Sequence, residues 1–136
     1  MNQITHYQQP RGSHSCGQHC VAMLSALTQS PLTPMEVVHL YKCTGSTQTS
    51  QVSSWLKSLG FTCGTTLTKL QSYSSLPPLS LCKVYWGHHK RPTHWVVYHE
   101  GLIYCPGHGI YTKRNYELNF NARITSYLEL TLNKVI

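Results

Sequence analysis

The chain has 136 residues, of which 40% are hydrophobic and only 11% charged, against about 25% charged in ordinary globular domains. Abundant apolar and aromatic residues with few charges exclude intrinsic disorder, and no apolar run approaches the roughly 20 residues that cross a bilayer. The charge is lopsided: 11 Lys and Arg face four acids, Glu36, Glu100, Glu117 and Glu129, with no Asp, for a net charge of +7.

This length fits one compact domain over residues 1–136. The opening stretch Met1–Arg11 is polar and lacks the apolar core of a secretory signal, so a soluble, cytoplasmic protein is expected, with no membrane insertion. Residues 1–15 read as extended and polar. Cys20, Val21, Leu24 and Leu27 then share a helical face, which predicts a helix from about Cys16 to Leu27. Thr33-Pro34-Met35-Glu36 is a capping box with Pro at the first helical position. It opens a short helix through Val37, Val38, Leu40 and Tyr41 that ends near Gly45. A third helix places Val52, Trp55, Leu56 and Leu59 on one face, with Gly60 as its stop.

The second half is strand-like. Phe61–Thr66, Leu79–Trp86, His94–Tyr98, Leu102–Tyr104 and Tyr127–Leu132 read as strands. His99-Glu100-Gly101 forms a tight hairpin turn, and Pro106-Gly107-His108-Gly109 is another turn. Helices followed by an antiparallel sheet make an α+β domain.

Six cysteines are present, at positions 16, 20, 43, 63, 82 and 105. In a reducing compartment most act as small buried apolar residues. Cys16 and Cys20 with His14 and His19 form a dense group, but it lacks the second matching pair of a structural zinc site. No metal and no cofactor is expected.

Two residues carry the chemical signal. Cys16, followed by Gly17, stands at the predicted N-terminus of a buried helix, whose free N–H groups and dipole favour a thiolate. His94 begins an apolar strand, and a nearby imidazole would activate the thiol and later protonate a leaving group. Gly17 would let a substrate carbonyl approach the backbone, where the Cys16 N–H stabilises an oxyanion, and Gln8 or Gln9 supplies a second donor. Taken singly, Cys16 reads as a structural thiol, His94 as a hydrogen-bonded strand residue, and Gln8 and Gln9 as solvated. His14, His19, His88, His89 and His108 read as surface or rim residues, and Trp86, Trp95 and Tyr104 as sheet and core, with Trp95 a candidate wall beside His94.

The stretch Gln9-Pro10-Arg11-Gly12-Ser13-His14-Ser15-Cys16-Gly17-Gln18-His19-Cys20-Val21-Ala22-Met23-Leu24 resembles the opening block of the papain-like C39 and C39-like cysteine peptidases. His94-Trp95-Val96-Val97-Tyr98, followed by Leu102-Ile103-Tyr104-Cys105-Pro106-Gly107, is similar to that family's His strand and Asp-Pro hairpin. The resemblance implies a papain-like fold, N-terminal helices packed on a C-terminal antiparallel sheet. It implies catalytic roles for Cys16 as nucleophile, His94 as general base and acid, and Gln9 as oxyanion donor. Two departures stand out. The family's Gln lies six residues before the Cys, where this chain has Pro10, so Gln9 needs a small bulge to serve. Cys105 holds the position of the family's Asp, and the spacing selects none of Asn115, Asn119 or Asn121 as a substitute. A Cys–His dyad is therefore expected.

Three functions follow. The first is a small cysteine peptidase or related thiol acyl-transfer hydrolase acting on a peptide or protein substrate through a thioester. The second is a degenerate, binding-only module whose basic surface captures an anionic partner, a protein or nucleic acid. The third is a zinc-bound structural module. The basic residues are scattered, with only Lys90-Arg91 and Lys113-Arg114 adjacent, so a sparsely charged face is expected rather than a dedicated groove, although the run His88-His89-Lys90-Arg91 could contact an anion. The size and polar start suit small phage- or bacterium-encoded proteins. Oligomeric state is left open.

Overall fold

The structure, a computed structural model, describes residues 3–71, 75–87 and 94–133. The run His88-His89-Lys90-Arg91 lies outside them. Three helices come first: α1 (Cys16–Ser25), α2 (Pro34–Tyr41) and α3 (Thr49–Ser58). Six strands follow, β1 (Phe61–Thr62), β2 (Thr68–Lys69), β3 (Leu79–Trp86), β4 (His94–His99), β5 (Leu102–Cys105) and β6 (Gly109–Thr112). Helix α4 (Lys113–Phe120) and strands β7 (Ala122–Glu129) and β8 (Thr131–Leu132) close the chain. The main sheet is antiparallel in the order β2-β7-β3-β4-β5-β6, and β1 pairs separately with β8.

The sheet is buried on both faces, and strand alternation divides its side chains between them. Leu81, Trp95, Val97 and Leu128 pack with α1 and α3, through Val21, Leu24, Val52 and Leu56. Their neighbours Cys82, Val84, Val96, Ile103 and Ile124 pack on the opposite face with Tyr116 of α4. Residues Cys16–Ser25 of α1 are buried throughout, so the helix that begins at Cys16 is the central rod of the first layer.

Local sequence explains most boundaries. Thr33 Oγ1 accepts the Glu36 N–H at 3.2 Å and Glu36 Oε1 accepts the Thr33 N–H at 2.9 Å, completing the capping box of α2. Helix α1 stops at Ser25, short of Leu27. The Ser25 hydroxyl there accepts the Leu32 N–H at 2.7 Å and donates to the Ala22 carbonyl at 2.6 Å, which ties the returning chain to the helix end. The strand expected over Phe61–Thr66 is only Phe61–Thr62, because Ser53 Oγ draws the Gly64 carbonyl to itself at 2.7 Å. The closing strand begins at Ala122 rather than Tyr127 and is interrupted at Leu130. The turn at His99-Glu100-Gly101 joins β4 to β5, with Glu100 and Gly101 at φ of 49° and 88°.

Candidate active site

A cleft of about 230 Å³ opens where the N-terminus of α1 meets β3 and β4, lined by Gln9, Ser13, His14, Cys16, Ser46, Thr47, Lys83, Trp86, His94 and Trp95. The structure thus brings Gln9, Cys16 and His94 together from three separate parts of the chain. A second hollow of about 410 Å³ shares Gln9, Ser13, Trp86 and His94 with the first and continues past Pro10, Gly107 and His108.

Cys16 is the first residue of α1, where the leading N–H groups have no acceptor within the helix. Its side chain is 9% exposed. One turn further along the same helix, Cys20 is fully buried, and desolvation holds its thiol well above the ordinary range. The two cysteines therefore differ as their positions dictate: one borders the cleft and the other fills the core. All six cysteines are free.

Gly17 has a packing role besides the one its place after Cys16 suggests. A side-chain carbon there would collide with Thr47. Thr47 Oγ1 accepts the Trp95 N–H at 3.1 Å. Gln18 anchors the same loop by donating to the Cys43 and Gly45 carbonyls at 3.0 and 2.9 Å. The glycine is needed for close packing of the 43–47 loop on α1, which brings Ser46 and Thr47 to the cleft.

Gln9 is buried, not solvated. Its N–H donates to the Pro106 carbonyl at 2.7 Å, Gln8 Nε2 donates to the Gly107 carbonyl at 3.0 Å, and His6 Nε2 meets the Cys105 carbonyl at 2.8 Å. These three bonds fasten the opening segment to the turn after β5. The extra residue between Gln9 and Cys16 is taken up by a turn from Pro10 to Ser13. The Ser13 N–H returns to the Pro10 carbonyl at 3.1 Å, and Gly12 sits at φ 81°, a value that glycine adopts without strain. Gln9 Nε2 spends one hydrogen on the Ser13 carbonyl at 2.7 Å, while the buried Oε1 has no hydrogen-bond partner among the described residues. An amide with one committed donor and a bare acceptor is held in one orientation at the edge of the cleft.

His94 opens β4 under an aromatic canopy. The Trp86 ring meets it edge-on, with centroids 4.0 Å apart, and Gly107 lies beside its Nε2. Behind this sits Cys105, fully buried, its sulfur accepting the Tyr116 hydroxyl at 3.4 Å. Desolvation pushes the Cys105 thiol up, outweighing the hydrogen bonds that favour its ionised form. A neutral thiol at this place offers no carboxylate-like charge. Asn115, Asn119 and Asn121 are exposed and line neither hollow.

Other histidines divide. His14 and His108 border the hollows, as expected for rim residues. His19, in contrast, is buried, with Nδ1 on the Ser15 carbonyl at 2.8 Å, and desolvation lowers its pKa. It braces the first turn of α1 instead of meeting solvent. Among the described residues no three His, Cys, Asp or Glu side chains converge as metal ligands would.

Several lining residues, Lys83 and Thr47 among them, escaped the sequence reading, and Trp86 was read without its place at the cleft. Trp86, at the end of β3, packs half-buried on the second core and also meets His94. Lys83 is paired with Trp95 across β3 and β4, and its Nζ lies 4.1 Å from the Trp95 ring centroid. The signal for Lys83 was present: it is the one charge in Leu79–Trp86, two residues after Leu81 and so on the face turned to α1.

The structure is similar to the peptidase domain of Streptococcus ComA, a bifunctional ABC transporter involved in a quorum-sensing pathway. The TM-score is 0.64 over 97% of this chain and 100% of that one, with 17% identity. The fold is papain-like. That agrees with the architecture implied by the Gln-Cys and His blocks. No protein-family model and no curated protein matches the sequence. No helix among the described residues is long and apolar enough to cross a membrane.

Proposed function

We propose that the chain is a small cysteine peptidase or related thiol acyl-transfer hydrolase, with Cys16 as nucleophile, His94 as proton carrier and Gln9 as oxyanion donor. The observation that carries this reading is the shared cleft: three residue types of one chemistry, separated in sequence, line one 230 Å³ hollow at a helix N-terminus.

His94 takes the Cys16 thiol proton as sulfur attacks the carbonyl carbon of an amide. The resulting oxyanion is met by the N–H at the start of α1 and by the second hydrogen of Gln9 Nε2, the first being held by Ser13. Collapse of this intermediate breaks the C–N bond, and His94 gives its proton to the departing amine. Water then attacks the thioester, His94 accepts its proton, and the carboxylic acid leaves as the thiol is reprotonated. With a neutral thiol at position 105, the imidazolium is supported by a dyad and its aromatic surroundings rather than by a triad.

The substrate on this reading is a peptide or protein amide, or a thioester. Cys16→Ala should abolish turnover of such substrates, by about 10⁴-fold or more, while leaving circular dichroism and thermal unfolding unchanged. Full turnover in Cys16→Ala would refute the proposal. Binding of a peptide without turnover in either protein would favour the degenerate, binding-only module.

A further inference from the structure

The cleft has an unbalanced charge. Lys83 reaches it from β3, half-buried, with its ammonium against the Trp95 face and in the same lining as Cys16. His14 and His94 are the other titratable nitrogen groups there. None of the four acidic side chains lines it. Glu36 caps α2, Glu117 holds Lys113 at 3.0 Å, Glu100 lies 3.8 Å from His99, and Glu129 is exposed on β7.

Among the described residues no carboxylate meets the partly buried ammonium, whose ionisable neighbours are the Cys16 and Cys20 thiols, and a π face offsets only part of the cost of its burial. Burial lowers the Lys83 pKa, a shift opposed by the thiols of Cys16 and Cys20. A carboxylate entering the cleft would supply the charge that the protein withholds, and would strengthen as water leaves. The Lys83 head is placed over the Trp95 ring, 4.1 Å from its centroid, rather than against an acidic side chain.

We propose that Lys83 is a specificity residue that binds a carboxylate of the substrate, so that the cleft selects anionic acyl or peptide groups next to the bond attacked by Cys16. This rests on the acyl-transfer reading and adds the class of substrate to it. The carboxylate comes either from an acidic side chain or from a free C-terminus.

The test uses alkylation, which needs no known substrate. Cys16 in the native protein is treated with iodoacetate, which is anionic, and iodoacetamide, its neutral analogue. Rates are read at each cysteine by mass spectrometry and normalised to half-buried Cys63. The iodoacetate-to-iodoacetamide ratio at Cys16 should fall about tenfold in Lys83→Met and stay within about twofold in Lys83→Arg. Circular dichroism confirms that both variants fold.

Protection of Cys16 from iodoacetamide then assigns the source. Acetyl-Gly-Glu-Gly-amide protecting better than acetyl-Gly-Gln-Gly-amide identifies a side chain, and acetyl-Gly-Gly-Gly with a free acid identifies a C-terminus. Equal slowing of both reagents in Lys83→Met would overturn the proposal, because Lys83 would then act on the thiol alone. An unchanged ratio, or protection no better than that of the neutral peptide, would overturn it as well. A Cys16 that reacts with neither reagent would instead refute the acyl-transfer reading on which it rests.

Discussion

The wall of the cleft built from the opening segment, α1 and β3 carries Gln9, Cys16 and Lys83, three polar groups each fixed by a different device: a turn at Gly12, a helix N-terminus and an aromatic face. Among the described residues, the wall behind His94 is aromatic and carries no acidic side chain. Trp86 meets the imidazole, His108 stacks on Phe120 at 4.2 Å, and Tyr116 covers Cys105. In the first wall hydrogen bonds and charge set the geometry; in the second, ring packing does. A carboxylate behind a catalytic imidazole fixes its tautomer and stabilises its charge, whereas rings fix only its position. On the dyad proposed above, ring packing against Trp86 contributes to holding His94 in place.

The largest effect on this comparison should come from the polar wall. Gln9→Ala removes the proposed oxyanion donor and should lower kcat by about 10²–10³-fold with little change in KM. Steady-state kinetics on an amide or thioester substrate measures this, and a loss confined to KM would assign Gln9 to binding. Trp86→Ala tests the aromatic wall. Freeing the imidazole should cost up to about 10²-fold in kcat/KM, and Trp86→Phe should recover most of it.

Much of this arrangement was legible in the residues. The capping box Thr33–Glu36, the apolar faces of α1 and α3, and the turn at Glu100-Gly101 are local signals, and each formed near its expected place. The grouping of Gln9, Cys16 and His94 was legible because helix start and strand start resemble a known block, although Gln9 stands one residue further from Cys16 than that block has it. Helix α4 was not. Only Tyr116 of it is buried, so Lys113–Phe120 shows no 3.6-residue apolar period. Its signals were weaker ones, a Thr112 cap on the Asn115 N–H and the Lys113–Glu117 pair. The roles of Gly17 and His19 were illegible for another reason. Both are set by a tertiary or backbone contact, with Thr47 and with the Ser15 carbonyl, that residue type alone does not reveal.

A smaller effect should follow from Cys105. If the aromatic wall rather than position 105 holds His94, Cys105→Ser should change kcat/KM by less than about threefold. A loss comparable to that of Trp86→Ala would show that the thiol itself orients the ring.

The smallest effect concerns stability and pH. Burial depresses the pKa of His19 below its usual 6.5. Between the folded and unfolded values the unfolded chain binds more protons, so stability falls as pH drops below about 6.5, with a slope of at most about 1.4 kcal/mol per pH unit for this group. It levels off below the folded pKa. Urea unfolding across this range should show that decline, and His19→Gln should flatten it. An equally steep decline in the variant would assign the effect to other groups, His108 first, since burial lowers its pKa too.

The central claim is that Cys16 and His94 act as one unit. Its most direct test is residue-resolved iodoacetamide labelling of the native protein as a function of pH, repeated in His94→Ala. Cys16 should be labelled ahead of Cys63 across the pH range, and should lose that lead without His94. Labelling of Cys16 that follows Cys63 in both proteins would contradict the claim and leave the cleft as a fold without its chemistry.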